Sequence, residues 1–206
     1  MNNPIKQTFA AVLLFSSTAL FHAGAFAAEN PGTYGSRSAG FHLNELGIGS
    51  GYVGGTLKNH AEDLSVYPAF VRLGFSLNSL FGIESSSSRA QFILEPFYNT
   101  IDSPLSGYET GCSIGLRYLH ELAGPVGIYF EGSFAPMYLS IDTKEQGAGG
   151  FNFLDQLGTG LQFKISVDNA VFAGYRFRHI SHAGLVDRSN SGINSNAFIV
   201  GFSWLF

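Results

Sequence analysis

The chain has 206 residues, of which 13% are charged and 15% aromatic, with 26 glycines, 20 phenylalanines and a net charge of −4. An acidic balance argues against a nucleic-acid partner, which needs a basic surface. The lone Cys112 excludes an intrachain disulfide framework and a cysteine-based zinc site.

Met1 to Ala27 reads as a secretion signal. Lys6 gives the positive start, Thr8 to Phe21 the apolar stretch, and Ala25-Phe26-Ala27 a small-x-small cleavage site before Ala28. That apolar stretch is shorter than the ~20 residues a spanning helix needs, and no other segment approaches this length. Cysteine is absent at the cleavage point, which argues against a lipoprotein. Lys6 is the only charge removed with the leader, so the mature net charge is −5, one unit below the whole chain's −4. Residues 28–42, including a Gly/Ser-rich run from Asn30 to Ala39, read as a periplasmic lead.

From residue 43 to 206 the chain reads as strands. Alternation and turn residues predict eight, over Leu43–Leu57, Ser65–Leu77, Arg89–Ile101, Tyr108–Leu122, Val126–Ile141, Phe151–Ser166, Ala170–Ser181 and Ser195–Phe206. In the fifth, Ile128, Phe130, Phe134 and Tyr138 share one face, with Glu131, Ser133 and Met137 on the other. In the last, Phe198, Val200, Phe202, Trp204 and Phe206 oppose Ala197, Gly201 and Ser203. Cys112 falls on an apolar face, as a small hydrophobe. Glu95, Glu131, Arg72, Arg117, Arg176 and Arg178 share the polar parity, as a charge network filling a narrow barrel would. Low charge, abundant glycine, export without a spanning helix and a terminal strand closing on Phe206 together predict an all-β fold. The expected architecture is an eight-stranded antiparallel transmembrane β-barrel in the outer membrane of a Gram-negative cell, crossing it many times. Such a barrel starts and ends on the periplasmic side, so the seventh strand runs outward and carries its last residues to the outer-leaflet rim.

Those residues carry the chemistry. Val171, Ala173, Tyr175, Phe177, His179 and Ser181 lie on one face of that strand. A base and a nucleophile thus point the way the apolar residues point, toward lipid. His and Ser two residues apart on one strand face are ~7 Å apart along the chain, within reach for the imidazole to take the hydroxyl proton, and such a pair is the least that an activated serine requires. By itself His-x-Ser is a very weak motif, and its bland reading is a polar collar at the membrane interface. His60 and His120 are isolated, and no pair has metal-ligand spacing, so neither metal nor cofactor is expected.

Phe177-Arg178-His179-Ile180-Ser181-His182-Ala183-Gly184-Leu185, followed by Asn190-Ser191-Gly192-Ile193-Asn194, resembles the signature of the outer-membrane lipid A 3-O-deacylase (PagL-type, acyloxyacyl hydrolase) family. The resemblance is strong over Tyr175 to Phe206 and architectural elsewhere. It implies a serine-dependent carboxylic ester hydrolase that removes the 3-O-linked 3-hydroxyacyl chain of lipid A, modifying lipopolysaccharide in the outer leaflet. The roles it implies are His179 as base, Ser181 as nucleophile and Asn194 as the group orienting His179. Ala183, Gly184 and Asn190 would stabilise the oxyanion or hold substrate.

Three departures accompany it. His182 stands where family members have Asn, the loop from Leu185 to Gly192 is about one residue longer, and Asn194 replaces a Glu. An amide oxygen can accept from imidazole N–H and fix the tautomer, but it carries no charge. Asp155 lies on the lipid-facing parity of the sixth strand. A turn centred on Val167–Asn169 would set it opposite Ser181 and diagonal to His179, where it could supplement Asn194. Lys58, Lys144 and Arg188 in outer loops are candidates for contact with lipid A phosphates. Homodimerisation is left open. A non-catalytic barrel serving adhesion or envelope structure, and a lipid A acyltransferase, are the alternative readings.

Overall fold

The computed structural model describes residues 40–57, 62–122 and 124–206. The secretion signal and most of the lead lie outside them, as do Lys58 and His60. The strands are β1 (Leu43–Leu57), β2 (Glu62–Tyr67), β3 (Ala69–Ser76), β4 (Ser88–Ser103), β5 (Gly107–Glu121), β6 (Val126–Leu139), β7 (Gly150–Lys164), β8 (Asn169–Ser181) and β9 (Ile193–Leu205). All neighbours pair antiparallel, and β1 also pairs with β9, so the sheet closes into a ring.

Where eight strands were expected, nine form, and Pro68 is the cause. β2 and β3 keep a single registration against β1, with Val53 opposite Val66 and Ser50 opposite Ala69. Proline has no N–H for the ladder, so the strand breaks there while its direction is kept. Both pieces fill one wall position between β1 and β4, and the ring has eight positions. The Ser50 hydroxyl donates to the Pro68 carbonyl at 2.7 Å across the break.

The predicted faces hold. Phe130, Phe134 and Tyr138 are exposed on the outer wall, as are Leu116, Val171, Phe177, Phe198 and Val200. Tyr98, Tyr108 and Tyr138 stack in a row near the loop-rich end. Such a wall is stable only in lipid, so a charge there is costly. Leu116→Arg, on β5 and 54% exposed, is expected to lower unfolding free energy by about 2–4 kcal/mol, read from the urea midpoint in lipid vesicles.

Inside, Arg72 bridges Glu95 at 2.9 Å and Glu131 at 3.2 Å, and Arg176 bridges the same two carboxylates at 2.6 and 2.7 Å. Arg117 reaches Glu45 at 3.0 Å, and Arg178 pairs with Glu109. Glu45 also accepts from Ser203 at 2.7 Å, joining β1 to β9 at the closure. The arginines and glutamates of this network are equal in number, and each is buried. A buried charge is tolerable only when paired in this way. The network leaves the lumen plugged with side chains.

Both ends of the barrel segment lie at one rim, with the β3–β4, β5–β6 and β7–β8 connections. The opposite rim carries the β1–β2, β4–β5, β6–β7 and β8–β9 connections and is the outer one by the barrel rule. At the inner rim, His120 Nδ1 is hydrogen-bonded to the Ser88 hydroxyl at 3.0 Å, a local tie between β4 and β5.

Candidate active site

His179 and Ser181 occupy the outer end of β8 and face outward, each partly exposed. Across β9, His179 pairs with Asn194, and across β7 it pairs with Asp155. The β7–β8 turn corrects one expectation. It spans Ser166–Asp168, closed by the Ile165 N–H donating to the Asn169 carbonyl at 2.8 Å. That shifts the register so that Asp155 lies directly opposite His179, while Phe153 is opposite Ser181. Directly opposed residues on one face have Cβ atoms ~4.5–5.5 Å apart, so Asp155 is nearer the imidazole than a diagonal position would be.

The imidazole is held from two sides, by Asn194 and by Gly192. His179 Nδ1–H donates to Asn194 Oδ1 at 2.6 Å. With the proton fixed on Nδ1, Nε2 is left with a lone pair, the tautomer a general base needs. Gly192 packs against the ring: a Cβ built there would lie 2.6 Å from His179 Cε1, and its φ of +78° suits glycine. Gly192 carries no expected role in the sequence; its signal there is a glycine two residues before Asn194. No hydrogen bond joins Ser181 to His179 among the described residues. Catalytic hydrogen bonds are often long before substrate arrives.

After Ser181 the chain turns sharply. Leu185 N–H donates to the His182 carbonyl at 2.9 Å, with Ala183 at φ +52° and Gly184 at φ +71° inside the turn. A left-handed alanine costs about 1–3 kcal/mol and is kept where the surroundings impose it, commonly at functional sites. No protein acceptor among the described residues takes the N–H of Ala183 or Gly184. Asn190 Oδ1 accepts the His182 N–H at 2.9 Å, leaving its amide N–H groups free of that bond. The His182 ring is buried, its Nε2–H donating to the Ser189 carbonyl at 3.0 Å. His182 therefore ties the loop internally.

The β6–β7 loop buttresses this segment. Ser191 N–H donates to the Glu145 carbonyl and the Ser189 hydroxyl to the Lys144 carbonyl, both at 2.8 Å. Gln146, fully buried, donates to the Ile180 carbonyl at 3.3 Å. Arg188 donates to the carbonyls of Ala148 and Phe151. Arg188 thereby clamps the two loops together. None of these loop-to-loop ties has a sequence signature. Among the described residues no group of three or more His, Cys, Asp or Glu side chains is placed to hold a metal.

A family profile described as lipid A 3-O-deacylase (PagL) matches residues 49–203. The chain belongs to this family. Two solved structures of similar fold accompany the match. Neisserial surface protein A (NspA) superposes with a TM-score of 0.57 at 13% identity, covering 81% of this chain and 99% of that one. The outer membrane enzyme PagL superposes at 0.51 with 18% identity, covering 76% of this chain and 97% of that one. At such identities both likenesses speak for the barrel fold alone. A comparison with curated protein sequences returned no match. As a member of the PagL family with an outer-membrane barrel fold, the chain resides in the outer membrane, and the family profile spans the whole β8–β9 site.

Proposed function

We propose that this PagL-family barrel hydrolyses the 3-O-linked 3-hydroxyacyl ester of lipid A in the outer leaflet, with Ser181 as nucleophile, His179 as general base and Asn194 orienting His179. The observation that carries the reading is the 2.6 Å bond from His179 Nδ1 to Asn194 Oδ1. It leaves Nε2 as a base on the face Ser181 shares, at the lipid-facing rim.

In this reading Ser181 Oγ attacks the ester carbonyl while His179 Nε2 takes its proton. The N–H groups of Ala183 and Gly184, with the Asn190 amide, receive the oxyanion. Preorganised donors of this kind are worth ~10²–10³ in rate each. Collapse of the intermediate breaks the bond to the sugar oxygen, which leaves with the proton returned by His179. Water then attacks the acyl-Ser181 ester, giving up a proton to His179, and the free 3-hydroxy fatty acid departs. The scheme requires no metal, cofactor or second copy of the chain.

Asn194 can hold the tautomer without stabilising the imidazolium by charge. Asp155, directly across from His179, would supply that charge. Asn194→Ala is expected to lower kcat through loss of the tautomer. Asp155→Asn is expected to lower it separately through loss of charge, with KM little changed in either case. Steady-state release of 3-hydroxy fatty acid by the purified barrel checks both. An unchanged kcat in Asp155→Asn would remove Asp155 from the scheme and leave Asn194 alone.

A further inference from the structure

On the β7 side of the nucleophile the outer wall carries an aromatic pair that the hydrolytic scheme does not use. Phe153 is directly opposite Ser181 on the outward face, so their Cβ atoms are ~4.5–5.5 Å apart. Phe151 lies two residues further out on the same face, and the two rings meet edge to face with centroids 4.9 Å apart. Across β6, Phe151 is directly opposite Tyr138, the last member of the stacked row Tyr98, Tyr108 and Tyr138. An aromatic row of this kind marks the level of the lipid headgroups. Its tyrosines have a hydroxyl to offer that polar layer, whereas Phe151 presents only carbon there and is 43% exposed. An apolar ring held in a polar layer calls for an apolar surface to cover it. The backbone under the ring is fixed, because Arg188 donates to the Phe151 carbonyl and so ties this strand end to the loop that carries Asn190.

We infer that Phe151 and Phe153 form a platform for the sugar ring of the substrate, the leaving group of the reaction. This rests on the deacylase reading above and gives recognition of the leaving group its residues. With the ester carbonyl at Ser181, the acyl chain runs down the wall into the bilayer and the sugar lies on the outer side. Two residues along a strand advance ~7 Å, and less in height at a strand tilt of ~35–45°. The sugar ring is joined to the carbonyl carbon through a single oxygen, so it falls between the rows of Phe153 and Phe151. A glucosamine ring carries its substituents equatorially and turns C–H groups to both faces, which suits the face of an exposed phenyl ring. Asp155, the next outward residue below Phe153, is in the row of His179, on the acyl side, and leaves the platform uncharged.

The test uses two synthetic esters of the same 3-hydroxy fatty acid, one on the 3-oxygen of an N-acylated glucosamine and the other on a simple alkyl alcohol. The full-length barrel in detergent micelles is given each, and kcat/KM is compared. The wild type is expected to prefer the sugar ester. Phe151→Leu and Phe153→Leu should each cut that preference by about three- to tenfold, the scale of one specific ring contact, chiefly through KM. Phe151→Tyr, which keeps the ring, should retain it. A purely structural or membrane-anchoring pair would slow both esters by the same factor and keep the ratio. No preference in the wild type, or a ratio unmoved by both leucine substitutions, overturns the inference while leaving the deacylase reading intact. A loss in Phe151→Tyr as large as in Phe151→Leu overturns it too. Hydrolysis of neither ester by the wild type overturns both readings. Should Phe153→Leu fail to assemble, the Phe151 pair of variants decides the matter.

Discussion

Ser181→Ala is expected to lower kcat for ester release by at least ~10² and by as much as ~10⁶. The range has a physical source. In a serine hydrolase with a complete acid, losing the serine costs ~10⁶ and leaves only what binding and the oxyanion donors supply. Exchanging the acid for its amide costs ~10⁴. Members of such a unit are not additive, so a site oriented by Asn194 alone would have only ~10² left to lose. If Asp155, directly opposite His179, supplies the missing charge, the fall should lie toward the upper figure. The loss therefore measures how well His179 is supported. His179→Ala should fall by a similar factor, since base and nucleophile act together. Single-turnover measurement of fatty-acid release from both purified variants checks the pair. Retention of activity within tenfold in Ser181→Ala would remove it from the chemistry.

Gly192→Ala is expected to lower kcat by about 10²-fold with KM little altered. A methyl group at this position meets His179 Cε1 at 2.6 Å, closer than carbon atoms approach. The imidazole is the movable partner, and moving it breaks the 2.6 Å bond to Asn194 Oδ1. A displacement of ~1 Å in a positioned catalytic group is worth about two orders of magnitude in rate. The φ of +78° adds a backbone cost of about 1–2 kcal/mol for any residue with a side chain. The expected signature is therefore a large kinetic loss beside a small fall in unfolding midpoint. A variant with wild-type kcat would mean that the ring can shift without penalty.

Much of the barrel was legible from its side-chain parity. The lipid face of β8 follows from Val171, Phe177 and His179, and the closing strand from Phe198, Val200 and Trp204. The lumen charges Arg72, Arg117, Arg176 and Arg178 announce themselves because a charge on the wall face is so costly. Glu45 and Glu109 were missed for local reasons. Glu45 lies in β1, where Gly47, Gly49 and Gly51 dilute the alternation, and Glu109 sits near the outer end of β5, close to a loop. Pro68 was read through rather than as a break, since the residues on either side keep one registration. In the site, the His179–Ser181 pair is visible in its spacing, while Asn194 and the catalytic roles come from the family resemblance alone. The register of Asp155 was not, because it depends on where the β7–β8 turn is centred, and a shift of one residue in that centre moves the partner by two. Still less visible was the lock between the β6–β7 and β8–β9 loops. Its acceptors are backbone carbonyls at Lys144, Glu145, Ala148, Phe151 and Ile180, which any sequence possesses.

The most direct measurement is mass spectrometry of lipid A from Gram-negative cells producing the chain, beside cells producing Ser181→Ala at equal outer-membrane levels. The account predicts loss of one 3-hydroxyacyl group from lipid A with the wild type and an unaltered spectrum with the variant. Unaltered lipid A in both would contradict it and leave a barrel without this activity. A gain of acyl mass with the wild type would contradict it too, in favour of acyl transfer.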